Sequence, residues 1–181
     1  YSPILFTTTL RSPERCKYLL KIIQKYDGQV LDDNLAIQIM KDCVKEKIYF
    51  SEKAAKLISN YKKIYNSDTE ISNQMVEDIV TKVSQVHKQR GFNKGWSSRF
   101  KTVFELARLF GFVWFSEPEF EKEEIKVTNL GKKLAECCEL DNLPEPWKLE
   151  PISEREQSIF LHALTKYQVN NPFKRVLNEV N

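Results

Sequence analysis

A chain of 181 residues, 41% hydrophobic and 29% charged, is long enough to bury a sizeable core in one domain, or in one domain and the start of another. That balance excludes an intrinsically disordered tail, and a net charge of +3 says little until its distribution is known. No apolar run of about 18 residues occurs, which excludes a membrane-spanning helix, and no charged-then-apolar secretory segment is legible.

Residues 1 to 11 (YSPILFTTTLR) carry β-branched and aromatic residues without a helical period and predict an extended arm. Ser12-Pro13 then supplies an N-cap and a proline at the first helical position. Leu19, Leu20, Ile22, Ile23 and Tyr26 form the apolar stripe of a first helix, which Asp27-Gly28 ends. A second helix is expected from about Asp33, with Leu35, Ile39, Met40, Cys43 and Val44 inward. A third is expected from near Ser51, carrying Ala54, Leu57, Ile58, Tyr61, Ile64 and Tyr65. NSDTEISN, residues 66 to 73, reads as a polar loop and cap for a helix that buries Val76, Ile79, Val80, Val83 and Val86.

Further on, Ser97 or Ser98 is expected to cap a helix whose Phe100, Val103, Phe104, Ala107 and Phe110 face the core. Gly111 falls where a left-handed residue closes a helix. The period then changes. Phe112 to Phe115 and Ile125 to Val127 predict two short strands around the acidic loop SEPEFEKEE. Thr128 caps a short helix through Leu130, Leu134 and Cys137. The proline-rich stretch 141–152 is a connector, and Ser153 with Glu156 matches a capping box that opens a helix through Ile159, Phe160, Ala163, Leu164 and Tyr167. Asn171-Pro172 starts another.

The expected fold is therefore mainly α: a helix-turn-helix or winged-helix DNA-binding subdomain with a short two-stranded wing and extra N-terminal helices. Its bounds are residues 1–140, with residues 153–181 opening a following helical subdomain. In a winged helix the helix just before the hairpin is the recognition helix, here from Ser97 to Phe110. The chain starts without methionine and stops inside a helical pattern, so it reads as a piece of a longer protein.

The candidate chemistry clusters ahead of that helix. From Lys82 to Lys101 the sequence carries Lys82, Lys88, Arg90, Lys94, Arg99 and Lys101 without one Asp or Glu. Such a run is often no more than a solvated face. Here it leads into a helix N-terminus, where backbone N–H groups and the dipole favour a phosphate. It also holds Asn93, Ser97 and Ser98, which can donate to phosphates or base edges, and Trp96, a flat apolar surface beside cations. Trp96 is either core or DNA-facing, and the apolar spacing of the helix after it, complete without the indole, favours the DNA-facing role. The arm adds Thr9, Arg11, Ser12 and Arg15, where an arginine can take a guanine through O6 and N7 or be an ordinary surface residue.

Catalytic patterns are poor. Glu124-Ile125-Lys126 fits half of a nuclease metal motif, but Pro118-Glu119 is too close in sequence to supply the other half, and Lys126 belongs on the solvent face. Glu117, Glu119, Glu121, Glu123 and Glu124 instead suit a wing tip that avoids phosphate. His87 has no evident acidic partner and His162 lies among apolar residues, so neither makes a general base. The cysteines Cys16, Cys43, Cys137 and Cys138 form no C-x-x-C, so zinc is not expected and buried thiols in a reducing cytoplasm are.

GFNKGWSSRFKTVFELARLFGFVWFSEPEFEKEEIKVTNLGKKLAE resembles the first recognition subdomain of FokI-like type IIS restriction endonucleases. The shared features are the G-aromatic turn, W-S-S, the helix ending in G-F, the wing, and the V-T-x-x-G helix start. FTTTLRSPERCKYLLKIIQKYDGQ is similar to the T/S-x-R-S-P-E opening of AlwI-type and related nicking endonucleases, and EREQSIFLHALTKYQ aligns in character. The resemblance implies a bacterial, cytoplasmic module that recognises double-stranded DNA. It implies no catalytic site or cofactor here, and cleavage by a separate C-terminal Mg2+-dependent nuclease domain of a type II site-specific deoxyribonuclease. It places Arg11, Ser12 and Trp96 at the DNA, with a further polar contact at the start of the fourth helix near Ser72, Asn73 or Gln74. A winged-helix transcriptional regulator, or a protein-interaction module anchored by Trp96 and Trp114, stands as the alternative.

Overall fold

Pro13 sets the start of helical structure. A 3-10 turn over Pro13–Arg15 runs directly into α1 (Cys16–Ile23), whose Cys16, Leu19, Leu20, Ile22 and Ile23 are almost wholly buried. The computed structural model describes residues 13–85, 95–115, 124–138 and 151–166. A 3-10 turn (Gln24–Tyr26) tightens the end of α1, and Gly28 takes a φ of +81° that favours glycine.

The next three residues hold something the sequence hides. Gly28 N–H donates to Ile125 O at 2.8 Å, Ile125 N–H donates to Gln29 O at 2.9 Å, and Val30 bridges antiparallel to Glu124. A pairing segment this short has no room to show a period of two, so only the helix stop was legible there.

Asp32 Oδ1 accepts from Leu35 N–H at 2.7 Å and starts α2 (Asp33–Lys45), with Ile39, Met40, Cys43 and Val44 buried as expected. The single helix expected from Ser51 is two, α3 (Glu52–Leu57) and α4 (Tyr61–Tyr65). Ile58 is extended and Asn60 is left-handed at φ +66°, a conformation asparagine tolerates. The corner lets Tyr61 and Tyr65 close on Phe50, with ring centroids 5.7 and 4.9 Å away. It leaves Leu57 64% exposed, not inward.

Ser72 caps α5 (Asn73–Lys82) through Met75 N–H at 3.2 Å. The cap of α6 (Trp96–Leu109) is not a serine. Gly95 holds the N-cap position at φ +57°, so Ser97 and Ser98 fall inside the first turn, both buried. At its other end Gly111, at φ +67°, donates to Arg108 O at 3.0 Å and Phe112 N–H donates to Ala107 O at 2.9 Å, a Schellman closure. Strands β1 (Val113–Trp114) and β2 (Lys126–Val127) then pair antiparallel, Val113 opposite Val127 and Trp114 opposite Lys126. The valines point into the core; Trp114 and Lys126 lie on the outer face.

Thr128 caps α7 (Asn129–Ala135): its hydroxyl accepts from Gly131 N–H at 3.1 Å and donates to Gly111 O at 2.9 Å. The capping box of α8 (Glu154–Lys166) forms as read. Ser153 N–H and Oγ both donate to Glu156 Oε2, at 2.9 and 2.7 Å, while Glu156 N–H reaches Ser153 Oγ at 3.3 Å. The described part of α8 packs against the preceding helices. Phe160 sits edge-on to Phe110 and Phe112, at 5.4 and 5.3 Å, and Lys17 Nζ lies 3.2 Å from Glu156 Oε1 with both residues buried. The protein is thus mainly helical with a small two-stranded antiparallel sheet; α1 lies at the centre, packed against α2, α6 and α7. Among the described residues no helix is long and apolar enough to cross a membrane.

Two carboxylates tie this arrangement together and set its response to acid. Asp27 Oδ1 accepts from Val127 N–H at 2.8 Å, and Oδ2 lies 2.9 Å from Lys132 Nζ. Burial raises the pKa of both Asp27 and Glu156, but the hydrogen bonds from Val127 or Ser153 and the facing lysine outweigh it, holding both below the usual carboxylate range. A depressed carboxylate stabilises the fold above its unfolded pKa, about 4, and that stability is lost as pH falls through the folded value. The urea midpoint should therefore drop steeply below about pH 4. Asp27→Asn/Glu156→Gln should be less stable at neutral pH but show a shallower acid limb; an unchanged limb would refute the assignment.

Candidate nucleic-acid interface

The start of α6 is fixed by the residue expected to leave it. Trp96 is only 4% exposed; its Nε1–H donates to Val83 O at 3.0 Å, and its ring meets Tyr49 edge-on at 5.9 Å. The cause is local. Val83 leaves α5 in an extended conformation (φ −105°, ψ 101°), so its carbonyl is outside the helix ladder and takes the indole proton. The DNA-facing placement of Trp96 is corrected: the indole is an internal anchor between the end of α5 and the start of α6. Ser97 and Ser98, at 1% and 8% exposure, are likewise not presented to a partner.

Arg99 is a residue of this stretch that the fold holds at the surface with a defined partner. Its side chain is half-buried, and Nε–H donates to Gln85 Oε1 at 3.3 Å. Gln85 is itself buried, and its amide nitrogen donates to Ser51 Oγ at 3.1 Å, the same hydroxyl that caps α3 through Ala54 N–H at 3.2 Å. Among the described residues the terminal nitrogens of Arg99 carry no other hydrogen bond. The guanidinium is gripped at one edge, and among the described residues its fork has no further hydrogen-bond partner. Gln85 escaped the sequence reading because nothing local links it to positions 51 and 99.

No residue of α6 is fully exposed. Its outward stripe consists of half-buried Lys101, Thr102, Glu105 and Arg108, and Arg108 neutralises Glu105 through paired contacts of 3.1 and 2.8 Å. Lys82, the first cation of the acid-free run, pairs with Asp78 at 3.3 Å.

Arg15 is half-buried in the 3-10 turn before α1, and its charge acts on Tyr65 as that of Arg99 acts on Tyr49. Burial pushes both hydroxyls up, and each arginine partly offsets it. Tyr65 packs against Tyr61 at 5.9 Å, and Tyr49 against Trp96 at 5.9 Å. Asn73 is exposed but sits at the far end of α5, roughly 15 Å along the helix from Val83. There it lines a cleft of about 320 Å³ with Lys41, Asp42, Lys45 and Glu77. The structure does not bring it to the start of α6. Thr9, Arg11, Ser12, Lys88, Arg90, Asn93 and Lys94 lie outside the described residues, as do the wing acids 117, 119, 121 and 123.

Glu124 and Lys126 lie exposed on the outer face of the sheet, and no group of three or more His, Cys, Asp or Glu among the described residues could hold an ion. The Cys16 thiol is pushed up to about 12 by burial and stays protonated. Comparison with protein-family models, with curated proteins and with solved structures gives no match for this chain.

Proposed function

We propose that this chain is a double-stranded DNA recognition module on a winged-helix plan, of the kind that a type IIS restriction endonuclease carries apart from its Mg2+-dependent nuclease domain. The order α1, edge segment 28–30, α2, α6, β1, β2 supports the plan, with α3, α4 and α5 inserted between its second and third helices. The observation that carries the function is Arg99. A buried amide grips one edge of its guanidinium beside an acid-free first turn, preparing the fork for a phosphate or a guanine edge. Lys101, further along the same helix, adds a phosphate contact, and cleavage is no part of this chain's work.

Duplex binding followed from low to moderate salt should give log K falling against log[salt] with a slope of roughly −4 to −5, for about four to six neutralised phosphates. Arg99→Ala should weaken binding and reduce that slope by about one if the contact is a phosphate. A flat salt dependence, or metal-dependent cutting by the chain itself, would sink the proposal. A second reading rests on Trp114 and Val30, each 51% exposed on the outer face of the sheet, as anchors for a protein partner. Duplex binding lost in Arg99→Ala and retained in Trp114→Ala decides against it.

A further inference from the structure

We infer that the α3–α4 corner is a second DNA-contacting surface, a track of lysines that carries the sugar–phosphate backbone away from Arg99. This rests on the DNA-recognition reading. Lys53 and Lys56 are exposed on α3, and Lys62 and Lys63 are exposed just past the left-handed turn at Asn60. Lys56, Lys62 and Lys63 form no ion pair among the described residues, and Lys53 Nζ reaches only the carbonyl of Ser84, at 3.4 Å. The only acid within α3 or α4 is Glu52.

Position separates this track from an ordinary solvated charge run. Ser51, the cap of α3, is hydrogen-bonded to Gln85, and Gln85 holds Arg99. Lys53 reaches the neighbouring residue, Ser84. The first turns of α3 and α6 are therefore both tied to Ser84-Gln85, α3 through Ser51 and Lys53 and α6 through Arg99. A duplex bears one phosphate charge per about 1.7 Å of axis, so cations spaced along a corner beside a seated guanidinium meet further phosphates of the same molecule. An anionic membrane is the competing partner for lysines around an exposed leucine. Interfacial helices need a broad apolar face, whereas Leu57 is the one large exposed apolar side chain of α3 and α4.

The test compares two triple variants of the full chain with equal charge loss: Lys56→Gln/Lys62→Gln/Lys63→Gln, and a control, Lys25→Gln/Lys45→Gln/Lys133→Gln, made at exposed lysines elsewhere. The corner variant should bind duplex at least about tenfold more weakly in 0.1 M salt and reduce the magnitude of the salt slope by about 2 to 3, the control by less than about one. Equal effects of the two variants, or an unchanged slope in the corner variant while Arg99→Ala still weakens binding, would overturn the track and leave the DNA-recognition reading standing. No duplex binding by the parent chain would fell both. Binding to phosphatidylserine vesicles that the corner variant alone abolishes, with duplex affinity untouched, would assign the corner to a membrane and overturn the inference. Circular dichroism should match the parent for both variants.

Discussion

Gly131→Ala should destabilise the protein by about 3 kcal/mol, although helix propensity alone predicts a gain of about 1 kcal/mol for alanine over glycine inside a helix. The two effects have opposite signs, so geometry decides. A Cβ at position 131 would lie 2.1 Å from Phe112 O, 3.0 Å from its carbonyl carbon and 3.1 Å from a Val127 methyl. The oxygen cannot swing away, because it accepts from Thr128 N–H at 3.0 Å and lies 3.2 Å from Thr128 Oγ1. Nor can α7 withdraw cheaply, since Leu134 and Ala135 are fully buried and α1 packs along it. The V-T-x-x-G stretch is thus a packing device: threonine caps α7, and glycine lets it press against the carbonyl that follows α6. Urea unfolding monitored by circular dichroism tests this, and a neutral or stabilising alanine would show that α7 does not approach Phe112 so closely.

Trp96→Ala should cost a further large amount, about 3 to 5 kcal/mol, through lost packing against Tyr49 and an unsatisfied Val83 carbonyl. Trp96→Phe separates the two parts. The ring is kept and the N–H is lost, for about 1 to 3 kcal/mol. If the indole only anchors α5 to α6, Trp96→Phe lowers the urea midpoint while the affinity of the folded fraction for duplex DNA stays at the parent value. A variant of unchanged stability that no longer binds duplex would restore the groove-facing role instead.

What the sequence revealed and what it hid divide by distance along the chain. Asp32, Ser72, Thr128 and the Ser153–Glu156 box were legible or nearly so because a cap and its target lie three residues apart. The left-handed Gly111 was legible for the same reason. The edge segment at 28–30 pairs with residues almost a hundred positions away, and the corner at Asn60 forms because Tyr61 and Tyr65 gain a place against Phe50, so propensity yields to packing. Trp96 shows the limit most plainly. Its cationic, serine-rich neighbourhood pointed outward, while the two groups that hold it inward, Val83 O and the Tyr49 ring, come from other elements. Arg99 was a candidate from charge alone; the grip of Gln85 that makes it one with a defined geometry is tertiary.

Glu156 has two duties at once, in the capping box of α8 and as the counter-ion of Lys17. Lys17 lies in the helix at the centre of the core, and its counter-ion is supplied from a residue 139 positions further on. Closing that long loop is an entropic burden best met late. Docking of α8 and nucleation of α8 then become one event, because the carboxylate that starts the helix is the one that meets Lys17. The arrangement couples the two distant stretches, so opening the first turn of α8 strips the buried Lys17 of its counter-ion.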